Sequence, residues 1–582
     1  MTGRASPSTL RAFVALSAPW LGRWRTRGAI LLLLLLTASQ VALAIAFNLW
    51  NARLFDALEQ RNAAALLREV WIFALILLGI VLSNAAQLEA KRGIALAWRQ
   101  ALTERLLGAW LADGRHWRLS QLLDSPDNPD GRIAEDIRIA TEHAVELAST
   151  LFFCSTTLIA FLGILWSLSG VVQVLGLPVP GHMVWLALLY AAMGAAAAFA
   201  LGRPLTTATE ARQRAEADFR FGMARNRDHA EALGLARGET TARAGLAQRF
   251  GALSVAWRQQ SEALRNLTGF QSAYTTLAPI LPILVSAPRY LGGQLSLGGL
   301  MQIAQGFQQT VVALSWPVDQ AARLAEWHAS ADRVLALLDA IESAEAEPGS
   351  LRPDDRGAAL ALSGLILRHP DGSALCGPLD ATLPLGSRVS VTGDAAAATA
   401  LFLAIAGLWP WGEGRLVRPA MHALGALPRH PWLPDATLAD LLTPPSGAPR
   451  AALAAALDVV GLGTLATRLD ETADWAATLD EGDRLRLGFA RLLLGRPDLV
   501  LMDDLPAVLG AEETKRLLGI LTMAMPQAIL LVADHGALDL PERLELVAPV
   551  NVPRGRAAQA AARRRASQFA DWLRRGFGHA QE

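Results

Sequence analysis

The chain has 582 residues, too many for one ordinary domain, and 52% of them are apolar while only 18% are charged. This composition favours a membrane protein, and a formal net charge of zero gives no indication of nucleic-acid binding. The two cysteines, Cys154 and Cys376, provide neither a disulfide framework nor a metal cluster and are interpreted as inert thiols.

The N-terminal half carries six apolar runs of about 20 residues each, which is the length that crosses a bilayer as a helix. These runs lie near residues 28–50, 69–88, 150–174, 183–202, 269–288 and 296–317. The first run is too long for a cleaved signal peptide. Four glutamines interrupt the sixth, and such residues face a cavity or form hydrogen bonds between helices. The sequence therefore predicts six spans.

The arginines indicate an orientation for these spans. They cluster before span 1, after span 2 and after span 4, whereas the loop at 175–182 has no Lys or Arg. Because Lys and Arg are enriched in cytoplasmic loops, both termini are predicted to face the cytoplasm. The chain is thus expected to be a multi-pass membrane protein, in contact with lipid.

Domain boundaries follow from changes in composition. Residues 1–340 are predicted to form the transmembrane domain, whose helices extend into the cytoplasm and are interrupted at 124–131 and 236–240. A charged linker follows at 341–358. Residues 359–550 alternate apolar strands with helices, which favours an α/β domain with a mainly parallel sheet. The basic tail, 551–582, is interpreted either as an amphipathic helix on the inner leaflet or as a solvated segment.

The soluble half contains the frame of a phosphate-binding loop without its usual chemistry. An apolar strand leads into a turn and then a helix, as in a P-loop, and Gly393 occupies the first glycine position. The Lys position is occupied by Thr399 and the Ser/Thr position by Ala400. The run DAAAATA that replaces the loop favours a helix.

Six spans with a P-loop-like domain in one chain resemble a half-size ABC transporter. Three segments, SPDNPDGRIAEDI (125–137), APRYLGGQLSLGGLMQ (287–302) and GLWPWGEGR (407–415), are similar to the SbmA/BacA-like branch. That branch includes peptide-antibiotic and cobalamin importers and is related to the peroxisomal fatty-acyl transporters. The resemblance implies a six-span α-helical transmembrane domain joined to an α/β P-loop NTPase-like domain of the ABC ATPase type.

The resemblance also assigns roles to residues of the soluble half. Gly393, Thr399, Ala400 and Gly482 fall on the nucleotide-binding motifs, and Asp480 replaces the Ser of the signature motif. Asp503 falls on the position that holds Mg²⁺ through water. Asp504 replaces the catalytic Glu, and His535 occupies the switch position. Arg429 lies where the family has a Gln loop. Asp504 and His535 are interpreted as vestigial catalytic residues, since so many motif positions have changed together.

Three functions are compatible with the sequence. The leading hypothesis, which rests on the resemblance, is a dimeric translocator of the bacterial inner membrane. It would move a large amphipathic solute, such as a peptide, cobalamin or acyl compound, by alternating access. The partner is either an identical chain or an ATPase-competent half-transporter. ATP and Mg²⁺ are expected only if this chain retains residual nucleotide binding or if that partner binds them.

The sequence also allows a proton gradient as the energy source. Four carboxylates could carry the protons, although each also fits a solvated helix end: Asp56, Glu59, Glu89 and Glu104. The alternatives are a conventional ATP-hydrolysing ABC transporter and a non-transporting membrane regulator.

Overall fold

A computed structural model describes residues 9–122, 127–174, 177–345, 351–534 and 536–547, without the side chains of 171–178 and 345. The predicted tail, 551–582, lies outside the described residues. Contacts divide the chain into two units. The first unit comprises Met1–Leu107 and Asn128–Leu337, and the second comprises Gly108–Asp127 and Leu338–Glu582. The segment 108–127 therefore groups with the C-terminal half of the chain.

Helices dominate the N-terminal half. In chain order its elements are α1 (Thr9–Leu21), α2 (Trp24–Glu59), α3 (Ala63–Leu111), α4 (Arg115–Gln121), α5 (Pro129–Gly131), α6 (Ile137–Ser169), β1 (Val171–Val174), β2 (Leu177–Pro180), α7 (His182–Asp228), α8 (Ala230–Leu235), α9 (Glu239–Leu291), α10 (Leu297–Asp319) and α11 (Ala321–Glu345).

Five of the described helices, α2, α3, α6, α7 and α9, are long and apolar enough to cross a membrane by length and composition. They cover the first five predicted spans. The sixth predicted span coincides with α10, which has 23 residues but is not among the five. Its four glutamines lower its hydropathy. The number of six spans remains a prediction.

The third span is shorter than predicted. The apolar run was expected to continue to residue 174, but α6 ends at Ser169. Gly170 has φ of +63°, a backbone conformation that terminates a helix, and the chain then forms the antiparallel hairpin of β1 and β2. The β-branched residues of this run account for the change from helix to strand.

Aromatic packing joins α7, α9 and α10 in the first unit. The rings of Tyr190 and Tyr274 stack with centroids 4.4 Å apart, and Tyr190 also contacts Phe307 at 5.7 Å. The Tyr190 hydroxyl donates a hydrogen bond to the Tyr274 carbonyl oxygen at 2.5 Å. A Cβ at Gly194 would lie 2.5 Å from the Tyr274 ring, so the two helices approach closely because this position has no side chain.

Strands and helices alternate in the C-terminal half. Its elements are β3 (Leu360–Arg368), β4 (Ala374–Leu383), β5 (Arg388–Gly393), α12 (Ala395–Ile405), β6 (Gly412–Val417), β7 (Leu424–Leu427), β8 (Ala436–Thr437), α13 (Leu438–Leu442), α14 (Arg450–Val459), β9 (Thr472–Ala473), α15 (Trp475–Thr478), α16 (Glu481–Gly495), β10 (Leu499–Asp503), α17 (Pro506–Leu509), α18 (Ala511–Ala524), β11 (Ile529–Ala533) and β12 (Glu542–Leu546).

A five-stranded parallel sheet forms the centre of this half, with strand order β12-β5-β11-β10-β7. A smaller antiparallel sheet has the order β4-β3-β6. β10 and β11 are fully apolar up to their last residues, as expected for strands covered on both faces. Because β5, β11 and β10 are neighbours and parallel, their carboxyl ends meet at one edge. The candidate nucleotide-binding residues follow these ends.

Candidate functional site

The turn after β5 does not form a phosphate-binding loop. Only Asp394 separates the end of β5 at Gly393 from the start of α12 at Ala395. A P-loop needs a longer stretch of non-helical backbone so that several N–H groups converge on phosphate. Gly393 has φ of +125°, and a Cβ there would lie 2.6 Å from the Leu546 carbonyl oxygen. The close approach of β12 therefore accounts for this glycine without a phosphate.

The structure brings Thr399 close to Asp503 but leaves Ala400 in the core. The Thr399 hydroxyl donates a hydrogen bond to Asp503 Oδ2 at 3.4 Å. Thr399 thus contacts the predicted Mg²⁺-binding carboxylate and supplies no positive charge for a phosphate. Ala400 is buried in the cluster that packs α12 on the sheet. It has no hydroxyl to offer a metal.

An arginine pairs with Asp504, the carboxylate at the predicted catalytic position. Asp504 follows β10 with φ of +49°, and its backbone N–H donates to the Ala533 carbonyl oxygen at 3.0 Å. Arg429 Nη1 lies 3.1 Å from Asp504 Oδ2. A general base must hold an oxygen within hydrogen-bond reach of the proton that it takes, and here a guanidinium occupies one of the two oxygens. This geometry does not suit a general base.

Asp480, at the predicted signature-motif position, also forms a hydrogen bond within its own segment of the chain. Asp480 caps the N-terminus of α16, where its Oδ1 accepts a hydrogen bond from the Asp483 N–H at 2.7 Å. Gly482 lies in the first turn, and a Cβ built there would have Asp480 and Leu509 as its nearest neighbours. The Asp480 carboxylate therefore stabilises its own helix. No atom of Thr399 or Asp504 lies within 4 Å of that Cβ position.

Sequence reasoning missed Asp534, which follows β11. It is buried and accepts hydrogen bonds from the Ser390 hydroxyl at 2.6 Å and from the Leu538 N–H at 2.8 Å. It thereby ties the end of β11 to the middle of β5. An Asp directly after a buried apolar strand was the available signal. His535 lies outside the described residues, so its predicted switch role remains a prediction.

Taken together, the described residues do not fit a Mg²⁺–ATP complex. The positions predicted for the Lys and for the metal-binding hydroxyl are occupied by Thr399 and Ala400, and helix α12 replaces the loop. Asp504 is paired with a guanidinium.

The first unit contains a second candidate site along a polar seam between α2 and α10. The buried Asn48 donates through Nδ2 to the Gln302 carbonyl oxygen at 3.1 Å and to Gln305 Oε1 at 3.2 Å. Asn51 donates to the same Gln305 oxygen at 3.1 Å. Part of the glutamine cluster thus forms hydrogen bonds between helices, which is one of the two roles predicted for it.

The remaining glutamines line cavities, which is the other predicted role. One cavity of about 430 Å³ is lined by α2, α9 and α10, and a second of about 400 Å³ by α7, α9 and α10. Gln308 and Val312 line both. Tyr274, Gln271 and Asp319 line the second. The two cavities combine apolar walls with amides and a single carboxylate, and ligand sites are typically built in this way.

Two of the predicted proton-route carboxylates cap α10. The Gly298 N–H donates to Asp56 Oδ1 at 2.9 Å, and the Leu297 N–H donates to Glu59 Oε2 at 3.1 Å. This is a more specific role than a solvated helix end, because both anions lie at the positive end of the helix dipole. Glu69, which sequence reasoning missed, is buried in α3. Its Oε1 lies 3.4 Å from Arg68 Nη2, and its Oε2 has no hydrogen-bond partner among the described residues.

Comparison with known proteins shows similarity to ABC transporters. Residues 17–291 match the family model for ABC transporter transmembrane region 2. The Escherichia coli inner membrane ABC transporter ATP-binding protein YddA is 27% identical over 546 residues, which cover 91% of this chain and 96% of that protein. The chain is therefore a homologue of half-size ABC transporters, with a helical multi-pass membrane region in its N-terminal half.

Eukaryotic D-family transporters are also similar. ABC transporter D family member 2 of Arabidopsis thaliana chloroplasts is 25% identical over 547 residues, covering 81% of this chain and 76% of the relative. The lysosomal cobalamin transporter ABCD4 of Mus musculus is 24% identical over 470 residues, covering 72% and 75%. The broad resemblance to ABC transporters is confirmed. The finer one, to the SbmA/BacA-like branch, remains a prediction.

Proposed function

We propose that this chain is one subunit of a dimeric transporter that moves a large amphipathic solute across the bacterial inner membrane by alternating access. The observation that carries the proposal is the pair of cavities that share Gln308 of α10 and whose other walls are helices α2, α7 and α9 of the matched transmembrane region. Binding sites in transporters lie within the helix bundle, where polar groups face a cavity.

The lining of these cavities supports a solute rich in amides. Side-chain amides can both donate and accept hydrogen bonds, and the wall around Tyr274 and Phe270 offers aromatic surface. Peptides and the corrin side chains of cobalamin carry such groups. The name of the mouse relative, a cobalamin transporter, favours the same class. An acyl compound would use the apolar wall alone.

We further propose that this chain does not power the cycle by itself. The helix at Ala395 and the Arg429–Asp504 pair support this, because each removes a group that ATP hydrolysis needs. The drive then comes from an ATPase-competent partner or from a proton gradient. Glu69 is the most suitable protein group for a proton route, since it is buried in an apolar helix and one of its oxygens has no hydrogen-bond partner in the described part of the chain.

A conventional ATP-driven transporter is the second candidate, because the bacterial relatives bear the name ATP-binding protein. Phosphate release by the purified chain with ATP and Mg²⁺ separates the two. We expect release at background level and no change in Asp504→Asn. Turnover that disappears in that variant would establish the conventional mechanism.

Uptake separates transport from regulation. Cells with and without the chain are given a fluorescent peptide and, separately, labelled cobalamin. We expect uptake of at least one to require the chain. If the uptake of both solutes is the same with and without the chain, the result would favour the non-transporting regulator.

A further inference from the structure

The second unit contains an arginine-lined cavity that the transport hypothesis does not use. Its volume is about 680 Å³, and it is lined by the segments after α3, after α11 and around β6. The charged side chains in its wall come from all three segments: Arg115, Arg118, Arg352, Arg418, Asp113 and Asp355. Four guanidinium groups thus face two carboxylates, and the wall carries a formal charge of about +2.

Both carboxylates are engaged by arginines. Arg418, which is buried, lies with Nε 2.8 Å from Asp355 Oδ1, and it also donates to the Ile405 carbonyl oxygen. Arg115 Nη2 lies 3.9 Å from Asp113 Oδ2. These contacts neutralise part of the wall and fix one guanidinium at the base of the cavity.

The other two arginines have no carboxylate partner among the described residues. Arg118 donates from Nη2 to the Asp113 carbonyl oxygen at 2.7 Å, but its Nε is buried without an acceptor in that part of the chain. Burying a charged donor without a partner is costly. An anion in the cavity would instead supply the counter-charge that the Arg118 and Arg352 guanidinium groups lack among the described residues.

We propose that this cavity binds a phosphoryl group carried by a molecule of about nucleotide size. The guanidinium fork matches the geometry of phosphate oxygens, and arginine is favoured where such groups are recognised. The volume exceeds what inorganic phosphate needs and lies within the usual range for small-molecule sites. Trp411 adds an aromatic surface to the wall for the remainder of the ligand.

Two sources can supply this chemistry, a soluble phosphorylated metabolite and a phospholipid headgroup. Occupancy would tie the segment after α3 to the segment after α11, because Arg118 lies in the first and Arg352 in the second. The proposal does not depend on transport, so the two can fail separately.

Binding is tested on the full chain in phosphate-free detergent, with ADP and inorganic phosphate as probes and sodium chloride at equal ionic strength as the salt control. We expect ADP to raise the thermal midpoint saturably and more strongly than phosphate. Arg118→Gln and Arg352→Gln should each weaken binding about tenfold or more, the usual effect of losing a charge-assisted hydrogen bond. Arg491→Gln is the matched control on the exposed face of α16, and it should bind like the unmodified chain.

A lipid arm uses nanodiscs of phosphatidylglycerol or phosphatidylcholine. If ADP does not bind but phosphatidylglycerol stabilises the chain through Arg118 and Arg352, the source is a lipid and the phosphoryl assignment stands. The double variant Thr399→Val and Asp503→Asn locates the soluble ligand. Binding that this variant abolishes, or that both arginine variants leave unchanged, overturns the proposal. The absence of saturable binding in every arm overturns it as well.

Discussion

Arg429 and Asp504 form an ion pair, with Nη1 and Oδ2 3.1 Å apart, and Asp504 is the residue predicted at the catalytic position of an ABC ATPase. In Arg429→Gln we expect the Asp504 carboxylate to be released without any gain in hydrolysis, because the loop and the Lys position are still altered. The cost in stability should be about 1 kcal/mol or less, since the arginine is half-exposed. Thermal unfolding and phosphate release measure both effects. Arg429→Lys, which keeps the charge, is the control, and hydrolysis that rises in Arg429→Gln would refute this view.

Gly298 allows α10 to approach α2. A Cβ at this position would lie 2.1 Å from the Ala52 carbonyl oxygen and 2.4 Å from Asp56 Oδ1. We expect Gly298→Ala to destabilise the first unit by roughly 1–3 kcal/mol through overpacking. Thermal stability in detergent measures this. Gly269→Ala in α9 is the control, because nothing lies within 4 Å of the position that its new methyl group would take, and equal losses in both variants would contradict the close approach.

Gln308 lines both cavities of the first unit. If the solute forms a hydrogen bond there, Gln308→Leu should reduce the initial rate of uptake about two- to tenfold, roughly the value of one neutral hydrogen bond. Uptake of the transported probe at subsaturating concentration measures the effect. Gln259→Leu, on an exposed face of α9, should transport normally. An undiminished rate in Gln308→Leu would remove this residue from the proposed solute path.

Glu513 of α18 contributes a pH-dependent contact to the second unit. Hydrogen bonds from Arg516, together with the charges of Arg516 and Arg486, lower its pKa. Because the folded-state pKa is depressed, the stabilisation is present above the unfolded value of about 4.3 and is lost as the pH falls through the folded-state pKa.

The variant Glu513→Gln should therefore be less stable than the unmodified chain near neutral pH, by about 1 kcal/mol or less for such a partly exposed pair. The difference should shrink below a pH of about 4, where the unfolded carboxylate also begins to take up its proton. Thermal midpoints measured from neutral pH down to a pH of about 2, well below the unfolded carboxylate's pKa, test this. A gap that stays constant over this range would show that the carboxylate's charge does not matter.

Cys376 lies buried in the core of the second unit, and burial is the main reason that its pKa is raised to about 11. At a pH of about 8 only about one thiol in a thousand is then ionised, and the thiolate is the reactive form. In a Cys154→Ser background we expect maleimide to label Cys376 only after unfolding. Rapid labelling of the native protein would contradict this burial.

Local sequence was sufficient for several elements. The strands around Val500 and Leu530 are apolar up to their last residues, and this pattern predicts buried parallel strands whatever their neighbours. The alanine run after Gly393 favours a helix by intrinsic propensity, and α12 begins within it. The long apolar runs likewise predicted the helices α2 and α3.

Other features depend on residues far apart in the chain. Arg429 and Asp504 are 75 positions apart, and Gly298 and Asp56 are 242 apart, so no local pattern predicts either contact. Asp480 could be predicted at a signature-motif position, but its role as a helix cap depends on the conformation at the start of α16. The grouping of 108–127 with the C-terminal half likewise required the folded chain.

The sequence alone determined most of the helices and strands, although not the hairpin after α6, and it determined which motif groups are missing, because propensity, hydropathy and residue identity are local properties. Only the tertiary structure decided what the substituted residues do instead. Pairing of a carboxylate, capping of a helix and lining of a cavity are properties of side chains brought together by folding, and their energies depend on distances that the order of residues does not specify.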